Sequence, residues 1–599
     1  MTTWGGKCLA GLAGLAMAGM TVAAPPDQVF LNARVFTADA ARPEATAFAV
    51  REGRFLAVGT RAEVVAAAGK EARVTDLGGR RVVPGLIDAH SHAIFAGLAA
   101  QAPNLEDAVL PRAELARRID AMAAAATADT QAPFVVFGVN PAAWSDPAAL
   151  ARHFDAGAWA RRPLLLMGSD YHTGWGNGAM RAKAGIDAKR VRRLDRSERH
   201  TIGVDADGAP DGVLIDAGLD LVTVHLPKPA APALLEAARF AVAQNHRHGI
   251  TAWMDPAANA GPGEALFSRA PGSTGTGILP AYRALAEAGG LNAHVAALLV
   301  ASPRAGATEL DRLETVRAQF RDIPNLDLPG IKIFADGVLE YPAQSAALLG
   351  SYRNSGERGQ MLLEGGPLAA LVDAADARGW LVHIHALGDR AVRLSLDAIA
   401  TAREKRSSGV RHSITHLQLV EPADQARFAR VDAIAVMQLH WAELDNYLID
   451  LVKPYIDRQA FEGQYPARSL QRHGAVIAGA SDWPISTNNP WEAMHHGMTR
   501  GGPDGGLNAA ERLDRETMLL AYTRHAAEAI GLGERIGVIA PGRQADFAVL
   551  DRDVLAVDVE SLRATRVLQT WFGGHAVFTA SADAPAPAGP ARAEAAAGG

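Results

Sequence analysis

The sequence has almost no cysteine, with one thiol, Cys8, among 599 residues. This scarcity excludes a disulfide scaffold, a cysteine-based zinc finger and cysteine catalysis. Basic charge is not in excess either, because 59 Lys and Arg residues stand against 65 Asp and Glu residues, for a net charge of −6. The balance excludes the basic footprint of a nucleic-acid-binding protein. With neither a Walker-type loop nor a G-x-S-x-G elbow, phosphoryl transfer and serine hydrolysis are poorly supported.

The first 24 residues have the order of a secretory signal peptide. Lys7 supplies a positive start, residues 8–22 form an apolar stretch, and residues 21–24 (TVAA) offer a small-residue cleavage site. The apolar stretch is short for a bilayer span, which favours cleavage over the alternative of an uncleaved anchor. We therefore expect an exported protein, periplasmic or secreted, without membrane association after cleavage.

The rest of the chain predicts an α/β fold in two parts. Short alternating segments near both ends, such as AFAVREGRFLAVG and QADFAVLD, predict a small β domain built from residues 25–83 and 531–578. Between them, short β-branched runs alternate with long helical stretches, which predicts a parallel α/β barrel over residues 84–530. Residues 102–251 exceed a normal barrel connection and are expected to form an insertion. Residues 579–599, rich in Ala, Pro and Gly, predict a disordered tail.

The first chemical signal is the pair His90 and His92, at the end of a predicted buried strand over residues 82–88. Side chains two apart on an extended segment point the same way, so both imidazoles can reach one ion. Active sites collect at the carboxyl ends of barrel strands. The alternative is a polar loop that happens to contain two histidines.

Four further candidates lie within or at the ends of β-like runs, namely Lys332, His385, His416 and Asp482. Each one alone is better explained as a core histidine or a surface residue. Their recurrence at successive strand ends instead predicts a metal site of nitrogen and oxygen ligands, suited to zinc, manganese or a similar ion.

With these motifs the chain resembles the amidohydrolase superfamily and, within it, amidohydrolase family 3. The resemblance runs from about residue 27 to about residue 578. Its most specific stretches are VVPGLIDAHSH, IKIFADGVLEYPAQSAALL, VHIHALGDRAV, ITHLQLV, GASDWPIS and ERIGVIAPGRQADFAVLDRD. The family implies a distorted (β/α)8 TIM barrel with one or two divalent metal ions, and a small β-sandwich domain built from both termini.

The resemblance also implies a role for each motif residue. The expected metal ligands are His90, His92, Lys332, His385, His416 and Asp482. Lys332 stands where related enzymes can carry a carboxylated lysine, although it could instead pair with Asp336 or with a substrate carboxylate. Zinc is the metal expected, with one or two ions per chain left open. Asp482 is also expected to act as the catalytic general acid and base.

Substrate contacts are expected from the insertion and from the later strand ends. The segment around residues 172–177 resembles a His-x-x-Trp-x-Asn motif of the family, with packing within the insertion as the alternative. Arg500 is included as a partner for a substrate carboxylate, with helix capping as the alternative. His383, on the predicted fifth strand, could instead support a metal ligand. The candidate substrate-binding residues are His172, Trp175, Asn177, Tyr341, His383, Gln438, His440 and Arg500.

These residues predict a metal-dependent hydrolase that cleaves a C–N bond in an amide, N-acyl or N-formyl compound other than a peptide. A divalent ion supplies hydroxide at neutral pH and polarises the scissile carbonyl. Ester or lactone hydrolysis and deamination are the alternatives within the enzyme class, because the same hydroxide serves them. A non-catalytic exported binding protein is the alternative outside it. The expected partner is a small molecule rather than nucleic acid, and a homodimer is possible.

Overall fold

The computed structural model describes residues 27–126, 131–195, 198–268, 275–302 and 306–581. The predicted signal peptide and all but the first three residues of the predicted tail lie outside these ranges. The described chain forms a central barrel, a sheet assembled from both termini, and an inserted sheet between the first two barrel strands.

Eight parallel strands form the barrel, and each pairs with the next along the chain. The first and eighth strands also meet, because the Ala89 N–H donates to the Gly479 carbonyl over 3.1 Å. The predicted barrel is therefore confirmed. From first to eighth, the strands are Leu86–Asp88, Ile250–Asp255, His294–Val300, Leu326–Phe334, Leu381–Ala386, Ser413–His416, Ile434–Met437 and Val476–Gly479.

Helices surround the barrel and connect its strands. In the long helices Ala231–Arg247 and Asp389–Lys405, buried residues recur every three or four positions, so that one face of each helix is buried. Within the described ranges, no helix is both long and apolar enough to cross a membrane. The helices outside the insertion and the terminal domain are Ala93–Ala99, Ala231–Arg247, Leu279–Glu287, Glu309–Gln319, Gly365–Asp376, Asp389–Lys405, Pro422–Gln425, Arg427–Arg430, Asn446–Leu451, Arg458–Glu462, Ala467–Arg472, Pro490–Thr499, Arg515–Ala521 and Arg524–Ala529.

The two ends of the chain share one eight-stranded sheet, as the alternating segments predicted. Aromatic rings form the core that packs on this sheet. Phe30 stacks on Phe48 with ring centroids 4.8 Å apart, and Phe547 stacks on Trp571 with centroids 5.3 Å apart. Its strands are Gln28–Phe36, Glu44–Ala45, Ala47–Arg51, Arg54–Gly59, Arg73–Pro84, Phe547–Leu550, Val567–Phe572 and His575–Thr579, accompanied by the helices Arg61–Ala67 and Val559–Leu562.

The predicted strand over residues 82–88 is two strands joined at Gly85. Arg73–Pro84 belongs to the terminal sheet and Leu86–Asp88 opens the barrel. A Cβ atom at Gly85 would lie 2.1 Å from the Thr251 hydroxyl, so the crossing requires glycine. This junction fixes the direction in which the chain enters the barrel and delivers His90.

The insertion contains a separate five-stranded sheet. The second barrel strand begins at Ile250, so the barrel resumes just before the predicted insertion boundary at 251. The inserted strands are Phe134–Val139, Leu164–Gly168, Thr173–Gly176, Ile202–Val204 and Pro210–Ile215, with the helices Arg112–Ala125, Pro147–Phe154, Gly178–Lys183, Ala188–Arg193 and Ala217–Thr223.

Candidate metal centre and active-site cavity

Two histidines and one aspartate converge where the barrel closes. His90 and His92 follow the first strand, and Asp482 follows the eighth. The Nε2 atoms of His90 and His92 lie 3.3 and 3.4 Å from Asp482 Oδ1. The Asp482 N–H also donates to the His90 carbonyl over 2.8 Å, which holds the two segments side by side. Closure of the barrel therefore gathers residues almost 400 positions apart in the sequence.

The donor set of this cluster fits a divalent metal ion. Asp482 Oδ1 is buried and has no hydrogen-bond partner within the described part of the chain. A buried carboxylate oxygen left in that state is destabilising unless something positive meets it. Two imidazole nitrogens and a carboxylate oxygen within 4.8 Å of one another are the ligand types that zinc prefers.

His383 contacts the ring of His90 and orients it. His90 Nδ1 lies 2.7 Å from His383 Nε2, and His383 Nδ1 lies 2.7 Å from the Ser413 hydroxyl. If the His90 Nδ1–H donates to His383, the lone pair of His90 Nε2 remains for the metal. His383 is fully buried and does not line the cavity, so its position favours the alternative that it supports a ligand.

The other three predicted ligands lie at the same end of the cavity. The rings of His385 and His416 are 4.5 Å apart, and His416 Nδ1 is 3.8 Å from Asp482 Oδ2. Lys332 is only 1% exposed, and burial lowers its pKa to about 7. All six predicted ligands line one cavity of about 960 Å³. The structure thus brings them together, and their coordination of a metal stays a prediction.

The protonation states of the side chains at this end of the cavity suit the binding of a metal ion. Burial lowers the pKa values of His90, His385 and His416 well below the usual histidine value, which keeps the imidazoles neutral. Burial alone would raise the pKa of Asp482, but the neighbouring histidines and Lys332 outweigh it and hold that pKa below the usual range. Neutral imidazoles beside a carboxylate are the protonation states that bind a cation.

Asp88 braces the seam between the two ligand segments. This last residue of the first strand is 1% exposed. Its Oδ1 accepts the N–H groups of His90 (3.2 Å) and Ser481 (3.0 Å), and its Oδ2 accepts the Ser481 hydroxyl (2.5 Å). One buried carboxylate therefore ties the backbone of a ligand on one strand to the neighbour of Asp482 on the other.

The insertion delivers His172 to the cavity with an aspartate behind it. His172 Nδ1–H donates to Asp216 Oδ1 over 2.7 Å, and the Asp216 N–H donates back to the His172 carbonyl over 2.8 Å. His172 directly precedes Thr173, and Asp216 directly follows Ile215. Thr173 and Ile215 are paired across two antiparallel strands. The His172 ring lies 5.2 Å from that of His385. Sequence reasoning missed Asp216, whose only signal was its place at the end of a strand.

Trp175 and Asn177, which the motif placed near substrate, lie inside the insertion. Trp175 is fully buried and its indole N–H donates to the Asp211 carbonyl over 3.1 Å. Asn177 is equally buried, and its side chain satisfies several backbone groups, including the N–H of Leu164 at 2.9 Å. Neither lines the cavity, so the packing alternative is the one the structure supports.

Three of the remaining substrate candidates also lie away from the cavity. The Tyr341 ring stacks on Tyr455 at 4.8 Å. Arg500 is fully buried and donates to three backbone carbonyls, so it is not available to a substrate carboxylate. Gln438 accepts a hydrogen bond from His416 over 3.1 Å and positions that ring. The structure therefore does not bring these three side chains to the cavity, and their contact with substrate stays a prediction.

His440 does line the cavity, and it belongs to a second cluster formed by His440, Glu443 and His496. His496 Nδ1–H donates to the His440 carbonyl over 2.9 Å. The two rings are stacked, with centroids 4.7 Å apart and planes 16° from parallel. An imidazole lone pair lies in the plane of its ring. Two stacked, nearly parallel rings therefore do not direct their lone pairs at one point between them.

A parallel barrel with histidines and an unpartnered carboxylate at its strand ends defines a metal-dependent hydrolase of the barrel class. More particularly, the chain belongs to the amidohydrolase family, whose sequence model matches residues 73–578. The resemblance stated from the motifs is thus confirmed, and the family implies a divalent metal.

Known proteins similar to this chain cover nearly its whole length. LONG AFTER FAR-RED 3 of Arabidopsis thaliana is 27% identical over 92% of this chain and 91% of its own. An N-substituted formamide deformylase of Arthrobacter pascens is 26% identical over 92% and 97%. Among solved structures, uncharacterized metal-dependent hydrolases of Pyrococcus furiosus and Pyrococcus horikoshii superpose with TM-scores of 0.64 and 0.65. Both are 20% identical, covering 88% and 89% of this chain and 100% and 99% of theirs, and they show the fold.

Proposed function

We propose that the protein hydrolyses a C–N bond in an amide, N-acyl or N-formyl compound, with a zinc ion as its metal. The observation that carries the proposal is the convergence of His90 and His92 on the unpartnered Asp482 Oδ1. Membership of the amidohydrolase family supports the hydrolase class. Similarity to a formamide deformylase supports the choice of a C–N bond.

His90, His92, His385, His416 and Asp482 would hold the metal. When bound, such an ion activates water and polarises the carbonyl of the substrate. The Asp482 carboxylate accepts the proton of the attacking water and passes it to the leaving nitrogen. The depressed pKa of Asp482 keeps its carboxylate ionised at neutral pH, which is the form that binds a cation.

We further propose that Lys332 is carboxylated. Its burial favours the neutral amine, which is the form that takes up CO₂. The resulting anion would add an oxygen ligand and allow a second metal ion.

His172 is the substrate contact that the cavity supports best. Asp216 accepts from Nδ1, so Nε2 is the atom left for the substrate. The ring lies 5.2 Å from that of His385, a proposed metal ligand, which supports a contact near the scissile carbonyl.

Elemental analysis tests the metal assignment. It compares the purified full chain with the variant Lys332→Ala, both prepared with bicarbonate and without chelator. Two zinc ions per chain, falling to one or none in the variant, are expected. One ion in both proteins would contradict the carboxylated lysine and leave a mononuclear hydrolase. Absence of metal would contradict the hydrolase and favour a binding protein.

Asp482→Asn tests the proton-transfer role. We expect metal content to remain largely intact while most turnover of amides is lost, because the amide retains an oxygen ligand but accepts no proton. Full activity in this variant would disprove the role. If the unmodified protein hydrolyses esters faster than amides, the ester-hydrolase alternative is favoured. If it releases ammonia from amino-substituted rings, the deaminase alternative is favoured.

A further inference from the structure

An aromatic wall lies beside the first ligand pair. The helix Ala93–Ala99 begins directly after His92 and carries Phe95 on its first turn. The Phe95 ring contacts Tyr171 of the insertion at 5.0 Å and Phe137 at 6.2 Å, both in edge-on geometry. All three rings line the cavity. The segment that supplies the histidines therefore also supplies an apolar surface next to them.

A second aromatic surface lies beside Asp482. Trp483 follows this ligand in the chain and stacks with Phe240 at 6.3 Å, with planes 27° apart. Both rings line the cavity, together with Ile485. Aromatic side chains in a cavity bind flat apolar groups and contribute most of the binding free energy. Each of the two ligand segments is thus followed in the chain by an aromatic residue that lines the cavity and is suited to contact an aromatic substituent.

The charges that line the cavity are unfavourable for an anion. Asp107, Asp170, Glu340 and Asp445 all line it. Burial and the neighbouring Asp170 raise the pKa of Glu340, while its carboxylate accepts the Tyr447 hydroxyl over 2.8 Å. Within the described part of the chain, Lys332 contributes the only ammonium or guanidinium group in the lining.

Away from the proposed metal, a substrate carboxylate would therefore meet this acidic lining. Arg500, the residue expected from the sequence to bind such a group, is buried among backbone carbonyls. Opposed like charges weaken binding. This repulsion disfavours N-acyl amino acids and leaves uncharged amides.

We propose, resting on the C–N hydrolase function above, that the substrate is an uncharged amide with an aromatic substituent and without a carboxylate. In the reaction, the C–N bond breaks with its electron pair moving to nitrogen. Water supplies OH to the acyl carbon and H to the nitrogen, so the products are a carboxylic acid and an amine that carries the aromatic group.

Two matched amides test the proposal with the metal-loaded enzyme. N-acetylphenethylamine and N-acetylphenylalanine differ only in the carboxylate, and N-formyl versions provide a second pair. We expect kcat/KM to be about 100-fold higher for the uncharged member of each pair. Because salt screens charge, the ratio should decrease at high ionic strength.

A variant of the aromatic wall tests the second half of the proposal. Phe137→Ala should lower kcat/KM for N-acetylphenethylamine about tenfold relative to N-acetylethylamine measured on the same variant. The aliphatic amide corrects for any general loss of folded protein. Phe572→Ala removes a partly buried ring in the terminal sheet and should leave this ratio unchanged.

The outcomes separate the two proposals. Equal or faster turnover of the phenylalanine derivatives would overturn the inference and leave the C–N hydrolase standing. A ratio unchanged in Phe137→Ala would overturn the aromatic site. Hydrolysis of none of these amides by metal-loaded enzyme would overturn the proposed function, and the inference with it.

Discussion

In the described part of the chain, two clusters bring histidines and a carboxylate within metal-binding distance, and one of the two has the geometry of a metal site. In the first, His90 and His92 both approach Asp482 Oδ1, an oxygen that no described group satisfies. In the second, the rings of His440 and His496 stack, and His496 donates to a carbonyl. The residue types are nearly the same and the directions of their nitrogen atoms differ.

The difference shows that orientation, more than composition, makes a ligand set. His90 is oriented by the chain His383–Ser413, and the backbone beside it is held by Asp88. In the second cluster the ring–ring contact and the carbonyl satisfy the histidines themselves. Such groups stabilise the packing of the loop after the seventh strand against the helix Pro490–Thr499.

The largest expected effect comes from breaking the first cluster. His90→Ala and His92→Ala should each lose bound metal and all measurable turnover, because each removes one ligand from a small set. His496→Gln, in the second cluster, should retain the metal content of the unmodified protein. Metal analysis of the three variants checks this, and metal loss in His496→Gln alone would reverse the comparison.

The comparison extends to His172, a third histidine whose ring is oriented by a hydrogen bond. His172→Ala should lower kcat about 100-fold, since a hydrogen bond near the reacting group is lost. Asp216→Asn should cause a smaller loss, because an amide oxygen still accepts from Nδ1 but lacks the charge of the carboxylate, and Asp216→Glu should restore part of that loss. Steady-state kinetics would contradict this positioning role if all three variants changed KM alone.

The brace at Asp88 should affect metal affinity with little effect on fold. Asp88→Asn is expected to weaken metal binding about 10- to 100-fold, the size of effect found for groups that orient ligands. Asp546→Asn is the matched control, because this buried carboxylate accepts from Gly573 N–H and His294 far from the ligands. Chelator competition measures both affinities, and equal weakening would remove the case for a specific brace.

The smallest effect should be a pH dependence of stability from the second cluster. Burial, assisted by the charge of His440, lowers the pKa of His496 to about 3. Below about pH 6.5, the unfolded chain therefore binds a proton at His496 that the folded protein does not bind. The stabilising contribution of the buried, neutral His496 is complete above that pH. It decreases as the pH falls toward 3, by up to about 1.4 kcal/mol per pH unit.

Urea denaturation between pH 7 and pH 5 checks this prediction. His496→Gln should flatten the decline in the free energy of unfolding at low pH. His575→Gln, at an exposed histidine, controls for the loss of any imidazole. The interpretation fails if both variants show the same slope as the unmodified protein.

Much of the fold and of the candidate site could be predicted from the sequence. The spacing of His90 and His92 and the positions of His385, His416 and Asp482 at strand ends are local patterns, and parallel strands bring their carboxyl ends to one edge. Lys332 is predictable for the same reason. All six line one cavity in the structure.

The other contacts could not be predicted, because a side chain's direction depends on what packs around it. Trp175 and Asn177 match the motif yet point into the insertion, where backbone groups need their hydrogen bonds. Arg500 turns inward to carbonyls of the loops around it. The place of Asp216 at the end of a strand does not identify its partner, because only the antiparallel pairing places it opposite His172.

The sequence by itself determined the order of strands, the family and the set of side chains able to hold a cation, because periodicity and motif spacing are written along the chain. Only the tertiary structure decided which of these side chains share a cavity and which are used by the interior. Hydrogen-bond partners such as Asp88, His383 and Asp216 come from distant segments, and barrel closure and sheet pairing are what bring them into contact.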